Sequence, residues 1–253
     1  TRDGQVIGVI THMDMLRHQA HSPMLLLSRI RSLDGLPALD SYADEIAETA
    51  QALLTDGLQP ARIARVVATL NDALSGRLLQ LAQDQLGPPP CPFAWLALGS
   101  EGRREQILPS DQDSALAFRD DTPEAAAYFG ALATIVVDGL LQAGFAPCDG
   151  GYMAVNWCRP LAEMARTFRT WVEEPGPQAM VEASVFLDFR RVHGDLSVDP
   201  LQQILLDARH RPLFLAGLAR SAGSFEPPLG LLGRVRTQDG LLDLKHSALV
   251  AIV

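Results

Sequence analysis

From Phe93 to Leu98 the chain reads Phe-Ala-Trp-Leu-Ala-Leu without a polar residue, and at Gly99-Ser100 the run stops. A run this short and this continuously apolar predicts a strand covered on both faces. Beyond the break, Pro109 stops a helical turn expected over Glu101 to Ile107, and strand character returns from Asp111 to Phe118. That second strand opens on Asp111-Gln112-Asp113. Carboxylates at i and i+2 of a strand point to the same face, which lets both reach a shared divalent cation.

The flanking sequence sets these strands among helices. Ser22-Pro23 reads as an N-cap and first helical residue, and Pro60 opens a long amphipathic pattern through Ile63, Val67, Leu70, Leu74 and Leu78. Gly87 ends it, and Pro88-Pro89-Pro90 forms a stiff joint that puts a boundary near residue 88. Thr122-Pro123 caps a helix running to about Ala143, with Gly144 placed to terminate it. Further on, the pattern predicts a strand around Tyr152 to Val155, a helix from Pro160 to Glu173, a turn over Glu174 to Pro177, and a strand over Ser184 to Phe189. Asp199-Pro200 begins a last helical region, interrupted at Pro212 and at Pro227-Pro228. The expected class is α+β, a mixed sheet with helices flanked by N- and C-terminal helical regions.

Charge narrows the partners. Thirty acidic against 21 basic side chains give a net charge of -9, so no broad electropositive surface grips a long nucleic acid. A local arginine cluster can still hold the phosphates of one nucleotide, because a site responds to its nearest charges. The three cysteines, Cys91, Cys148 and Cys158, form neither a CxxC pair nor an even disulfide framework, as suits a reducing cytosol. They are expected to be ordinary buried thiols. No apolar run approaches the length needed to span a bilayer and no signal-peptide pattern is present, so the expected location is cytoplasmic with no membrane partner. The chain starts inside a structured pattern at Thr1 and stops in the apolar Ala251-Ile252-Val253, as a piece of a longer protein would.

The chemistry concentrates around residue 100. Gly99 permits close backbone approach, the Ser100 hydroxyl reaches a phosphate, and the start of the helical turn offers N–H groups to anionic oxygens. Arg103 and Arg104 follow with forked donors suited to phosphate charge. Two metals carrying a triphosphate need more anionic oxygen than one acid pair provides, and Asp188, in Val185-Phe186-Leu187-Asp188-Phe189-Arg190, is the candidate third acid. Its competing reading is a salt bridge to Arg190 or Arg191. An aspartyl-phosphate phosphatase fits less well, since its nucleophile sits at the end of an apolar strand whereas here the apolar run follows the acids. A P-loop pattern is absent, and the six histidines form no HxH or HExxH arrangement.

Taken together, Gly99-Ser100-Glu101-Gly102-Arg103-Arg104-Glu105-Gln106 and Ser110-Asp111-Gln112-Asp113-Ser114-Ala115-Leu116 resemble the signature of nucleotidyltransferases found behind CBS domains in bacterial signalling proteins. These are relatives of the protein uridylyltransferase of nitrogen regulation. The likeness continues through Gly150 to Trp157, Phe186 to Arg190, Gly194-Asp195 and Asp243-Leu244-Lys245. Separately, Gly8 to Leu16 resembles the end of a CBS domain. The resemblance implies a DNA-polymerase-β-like core at 89–198, after a CBS remnant at 1–20 and a helical region at 21–88, and before a C-terminal helical region at 199–253.

It further implies transfer of a nucleoside monophosphate to a hydroxyl acceptor on a regulatory protein, with two Mg2+ ions, or Mn2+ in their place. In that reading Gly99 and Ser100 hold the triphosphate, Asp111 and Asp113 bind both metals, and Asp188 activates the acceptor. Asn156 and Lys245 contact nucleotide or acceptor, and the CBS part supplies a homodimer contact. A catalytically silent nucleotide-sensing or scaffold module of the same fold is the alternative. Titration with magnesium and labelled ATP or UTP separates the two.

Overall fold

The computed structural model describes residues 11, 22–35, 39–107 and 110–223. The segment resembling a CBS domain, apart from Thr11, and Lys245 lie outside them. The chain forms two compact units, one of residues 1–161 and 188–197, the other of residues 162–187 and 198–253.

The first unit opens with three helices, α1 (Pro23–Arg31), α2 (Tyr42–Thr55) and α3 (Pro60–Leu86). Proline occupies the first turn of α1 and of α3, where its missing N–H costs nothing. Strand β1 (Phe93–Leu98) follows and is buried along its whole length, as the apolar run requires. A single turn, α4 (Gly99–Gly102), leads to β2 (Ser114–Phe118), α5 (Pro123–Gln142) and β3 (Cys158–Pro160). Strand β4 (Phe189–Gly194) completes a four-stranded mixed sheet in the order β3-β2-β1-β4. The fold is α+β. Strand β1 pairs antiparallel with both β2 and β4, while β2 and β3 run parallel.

Alternate sheet residues Phe93, Trp95, Leu116 and Phe118 join Phe129, Leu132 and Val136 of α5 and Leu74 and Leu78 of α3 in one core. By length and composition α5 is apolar enough to cross a membrane, which the sequence reading did not anticipate, but its buried residues belong to this core. The Thr122 hydroxyl accepts from the Ala125 N–H, so the N-cap read from sequence is made, and Gly144 beyond the last turn takes φ 94°. Thr122→Ala is expected to lower stability by about 1 kcal/mol in urea unfolding. An unchanged midpoint would remove the cap from the list of stabilising contacts.

The second unit holds α6 (Leu161–Glu173) from Ala162 on, α7 (Pro177–Phe186), α8 (Asp199–Asp207), a 3-10 turn (Ala208–His210) and α9 (Pro212–Gly223). Phe168, Trp171 and Phe186 cluster at its centre with ring centroids 4.8 to 5.6 Å apart, and the Trp171 indole donates to Glu182 at 2.9 Å.

Four expectations change. Residues 184–189 are not a strand: α7 runs to Phe186, and the strand starts only at Phe189, where pairing with β1 begins. Pro177, read as part of a turn, opens that helix from its first turn. Tyr152 to Val155 form a turn rather than a strand, and the paired segment lies later, at Cys158–Pro160. The helical turn after β1 covers Gly99–Gly102 instead of Glu101 to Ile107.

The register fixes what meets at one end of the sheet. Leu98 pairs with Phe189, and Ala97 with Ser114. The end of β1 and the starts of β2 and β4 therefore lie together, bringing the Gly99 turn, Asp113 and Asp188 to the same edge.

Candidate active site

At this edge, Asp111 and Asp113 precede β2 rather than lie within it. Asp111 forms an isolated parallel bridge with Ala146, and the Asp113 carbonyl accepts from the Leu98 N–H at 2.9 Å. The period-two argument thus rests on the wrong element, yet the acids converge. One oxygen from each carboxylate and the Cys148 thiol lie within 4.8 Å of one another, all three residues partly buried. Gln106 ties down the approach, its Nε2 donating to Ser110 Oγ at 2.6 Å and to the Asp111 carbonyl at 3.0 Å.

Gly99 begins the turn at φ 53°, a left-handed conformation that favours glycine, and a Cβ there would lie 3.7 Å from Asp113 Oδ2. Ser100 is exposed beside it. The turn and the Asp113 carboxylate thus face each other across little more than van der Waals distance.

Asp188 sits in the bend between α7 and β4. Its carboxylate is not part of the Asp111–Asp113–Cys148 group, and its Oδ2 accepts from Arg103 Nη1 at 2.7 Å. Arg103 also donates to Glu105 at 2.8 Å. The ion pair considered for Asp188 exists, but with Arg103, while Arg190 forms a bidentate pair with Asp72 at 2.8 and 2.9 Å. Arg104 is exposed, has φ 60°, and comes within 3.8 Å of Asp72. Asn156 is exposed and donates to the Gly151 carbonyl at 3.1 Å, closing its own loop.

Sequence reasoning overlooked several groups. Cys148, expected to be an ordinary thiol, stands beside the acids, and nothing in its local pattern marks it. Burial, with the Asp113 carboxylate adding to it, pushes its thiol up to about 11. It is therefore protonated at neutral pH, and the donors offered to a cation there are carboxylate oxygens, which fit a hard ion such as Mg2+.

Glu101, within the turn, is 5% exposed. Burial, then the nearby Asp72, push its carboxyl up to about 8, against a hydrogen bond with Gln112 and the charge of Arg190. Folded Glu101 holds its proton while an unfolded glutamate, near 4.5, has lost it. The folded state thus binds more protons between about 4.5 and 8, so stability falls as pH rises through that window and levels off above it. Glu101→Gln should flatten this slope and be more stable than wild type at pH 9 by about 1 kcal/mol. Parallel denaturation curves for the two proteins from pH 5 to 9 would refute the assignment.

Residues 44–178 match the family described as Putative nucleotidyltransferase DUF294, and residues 212–253 match that described as Putative nucleotidyltransferase substrate binding domain. No curated protein matches the chain. The first match covers both strands of the glycine–serine turn, the acid pair and Cys148, and the mixed sheet with its helices is consistent with a DNA-polymerase-β-like core. A glycine–serine turn facing two convergent carboxylates on such a sheet, within a match spanning more than half the chain, shows that this protein belongs to the DUF294 nucleotidyltransferase family and carries that family's substrate-binding domain behind it.

Proposed function

We propose that the protein moves a nucleoside monophosphate from a triphosphate to a hydroxyl acceptor on a regulatory protein, in a magnesium-dependent reaction. The observation that carries this reading is the convergence of Asp111 and Asp113 beside the Gly99 turn. Asp111 and Asp113 hold Mg2+, with Mn2+ an acceptable substitute. When bound, the metal offsets triphosphate charge and lowers the pKa of the attacking hydroxyl.

The chain's own residues do the rest. The Gly99 backbone and Ser100 hydroxyl hold the triphosphate, and Arg103 and Arg104 supply positive charge to it. As phosphate oxygens draw Arg103 away, Asp188 is released and takes the proton of the acceptor hydroxyl. The acceptor oxygen then bonds to the α-phosphorus, the bond from that phosphorus to the bridging oxygen breaks, and pyrophosphate leaves. Asn156 holds the loop beside the site. A cytoplasmic signalling protein carrying a CBS part that dimerises is the setting this reading fits.

One observation favours a second reading. The Arg103–Asp188 pair occupies the acid that would act as base, as in a module that binds nucleotide without turning it over. Incubating the protein with Mg2+, labelled ATP or UTP and host lysate separates the two. Transfer releases pyrophosphate and labels one acceptor; tight nucleotide binding with no pyrophosphate from any lysate fraction would leave the silent module.

A further inference from the structure

The turn between β1 and the acid pair is held from behind by α3. The Arg190 guanidinium spans the gap. Its two terminal nitrogens take both oxygens of Asp72 at 2.8 and 2.9 Å, while Nε reaches the Gly102 carbonyl and Nη2 the Glu101 carbonyl, each at 3.3 Å. Those two carbonyls lie at the end of a single-turn helix, where the Glu101 carbonyl also accepts from the Arg104 N–H at 3.0 Å. Both side chains of the pair are about four-fifths buried, at 21% and 22% exposure, so the contact is poorly screened by solvent. Asp72 is anchored in a 27-residue helix whose next residue inward, Asn71, accepts from the buried Tyr42 hydroxyl of α2 at 2.9 Å.

We propose that Asp72 and Arg190 are a positioning pair that fixes the Gly99–Gly102 turn in its triphosphate-receiving shape, so that the seating of α3 sets triphosphate affinity. Asp72 is not part of the Asp111–Asp113–Cys148 group. Asp72 aims the guanidinium, and the guanidinium aims the backbone. A lysine at 190 cannot serve, because one ammonium lacks the fork that reaches a carboxylate and two carbonyls together. The same geometry gives the N-terminal helices a route to the site, since any displacement of α3 moves Asp72. The affinity part rests on the nucleotidyltransferase reading above; the part concerning the turn does not.

The test uses the full chain with Asp72→Asn and Arg190→Lys, and three readouts. Mn2+ binding alone, followed by its paramagnetic resonance signal, should match wild type. Affinity for inorganic tripolyphosphate at saturating Mn2+ should fall about tenfold or more in both variants, the scale of losing a charged hydrogen-bond partner. Backbone amide exchange at residues 99–104 should quicken, with cooperative unfolding retained. A merely structural role would lower Mn2+ and tripolyphosphate binding together, and that result overturns the proposal. Wild-type tripolyphosphate affinity in both variants overturns it as well. Should wild type bind Mn2+ but no tripolyphosphate, the nucleotide reading fails by itself. Amide exchange then decides the pair: quickened exchange in Asp72→Asn upholds the positioning of the turn, and unchanged exchange ends it.

Discussion

In the proposed reaction, Asp111→Asn and Asp113→Asn should each reduce magnesium-supported pyrophosphate release by about a thousandfold or more, equivalent to roughly 4 kcal/mol of transition-state stabilisation. The size follows from the role. In that reaction each carboxylate would supply charge to the same cation, and an amide oxygen of the same shape would supply none. The two side chains stand within 4.8 Å, and among the described residues the protonated Cys148 completes the group, so no further acid in it replaces the lost one. Stability moves the other way. Two carboxylates this close repel when no metal lies between them, and removing one charge relieves the strain. Metal-free variants should therefore melt no lower than wild type, while Mg2+ raises the wild-type midpoint and leaves theirs unmoved. Calorimetry with and without Mg2+, beside the pyrophosphate assay, checks both halves. Retained turnover in Asp113→Asn would remove the metal site from this edge of the sheet.

What the sequence disclosed and what it withheld divide by distance along the chain. Phe93–Leu98, the Pro60 and Pro123 helix starts and the Gly144 stop are local signals, and each produced its element. The Val185-Phe186-Leu187 run was misread because short apolar stretches suit a buried helix as well as a strand. Pro177 opening the helix and the pairing of Phe189 with Leu98 settle it, and the second of these is a tertiary fact. The acid pair was legible for the same reason, being separated by one residue and preceded by the turn that faces it. Its strand was not, since β2 starts only at Ser114. The remaining side chains of the site come from far away: Arg103 meets Asp188 across 85 positions, and Asp72 meets Arg190 across 118. No periodicity reports such pairs. Glu101 reads in sequence as one more charged residue of a polar turn, and only the folded chain makes it a buried acid, under the influence of Asp72 in α3.

Gly102→Ala should destabilise the protein by about 3 kcal/mol, against the helix-forming preference of alanine, which alone would favour the change by about 1 kcal/mol. The reason is the approach of the chain ahead of β4. A Cβ on Gly102 would collide with the Asp188 carbonyl oxygen, 3.0 Å from its carbon and 3.1 Å from the Ala97 carbonyl oxygen. All of these are backbone atoms, so no rotamer change relieves the contact. Relief must come from separating the turn from the start of β4, which also draws Asp188 from Arg103 and the Gly102 carbonyl from Arg190. Triphosphate affinity should fall along with stability. Gly130, inside α5 with nothing within 4 Å of an added Cβ, is the control: there the same substitution should stabilise by about 0.5 to 1 kcal/mol. Opposite signs for the two alanines in urea unfolding would show that close approach of two backbones, rather than glycine's flexibility, keeps residue 102 free of a side chain. A Gly102→Ala protein as stable as wild type would mean that the turn and β4 do not touch as described, and the route from α3 to the acids would lose its last step.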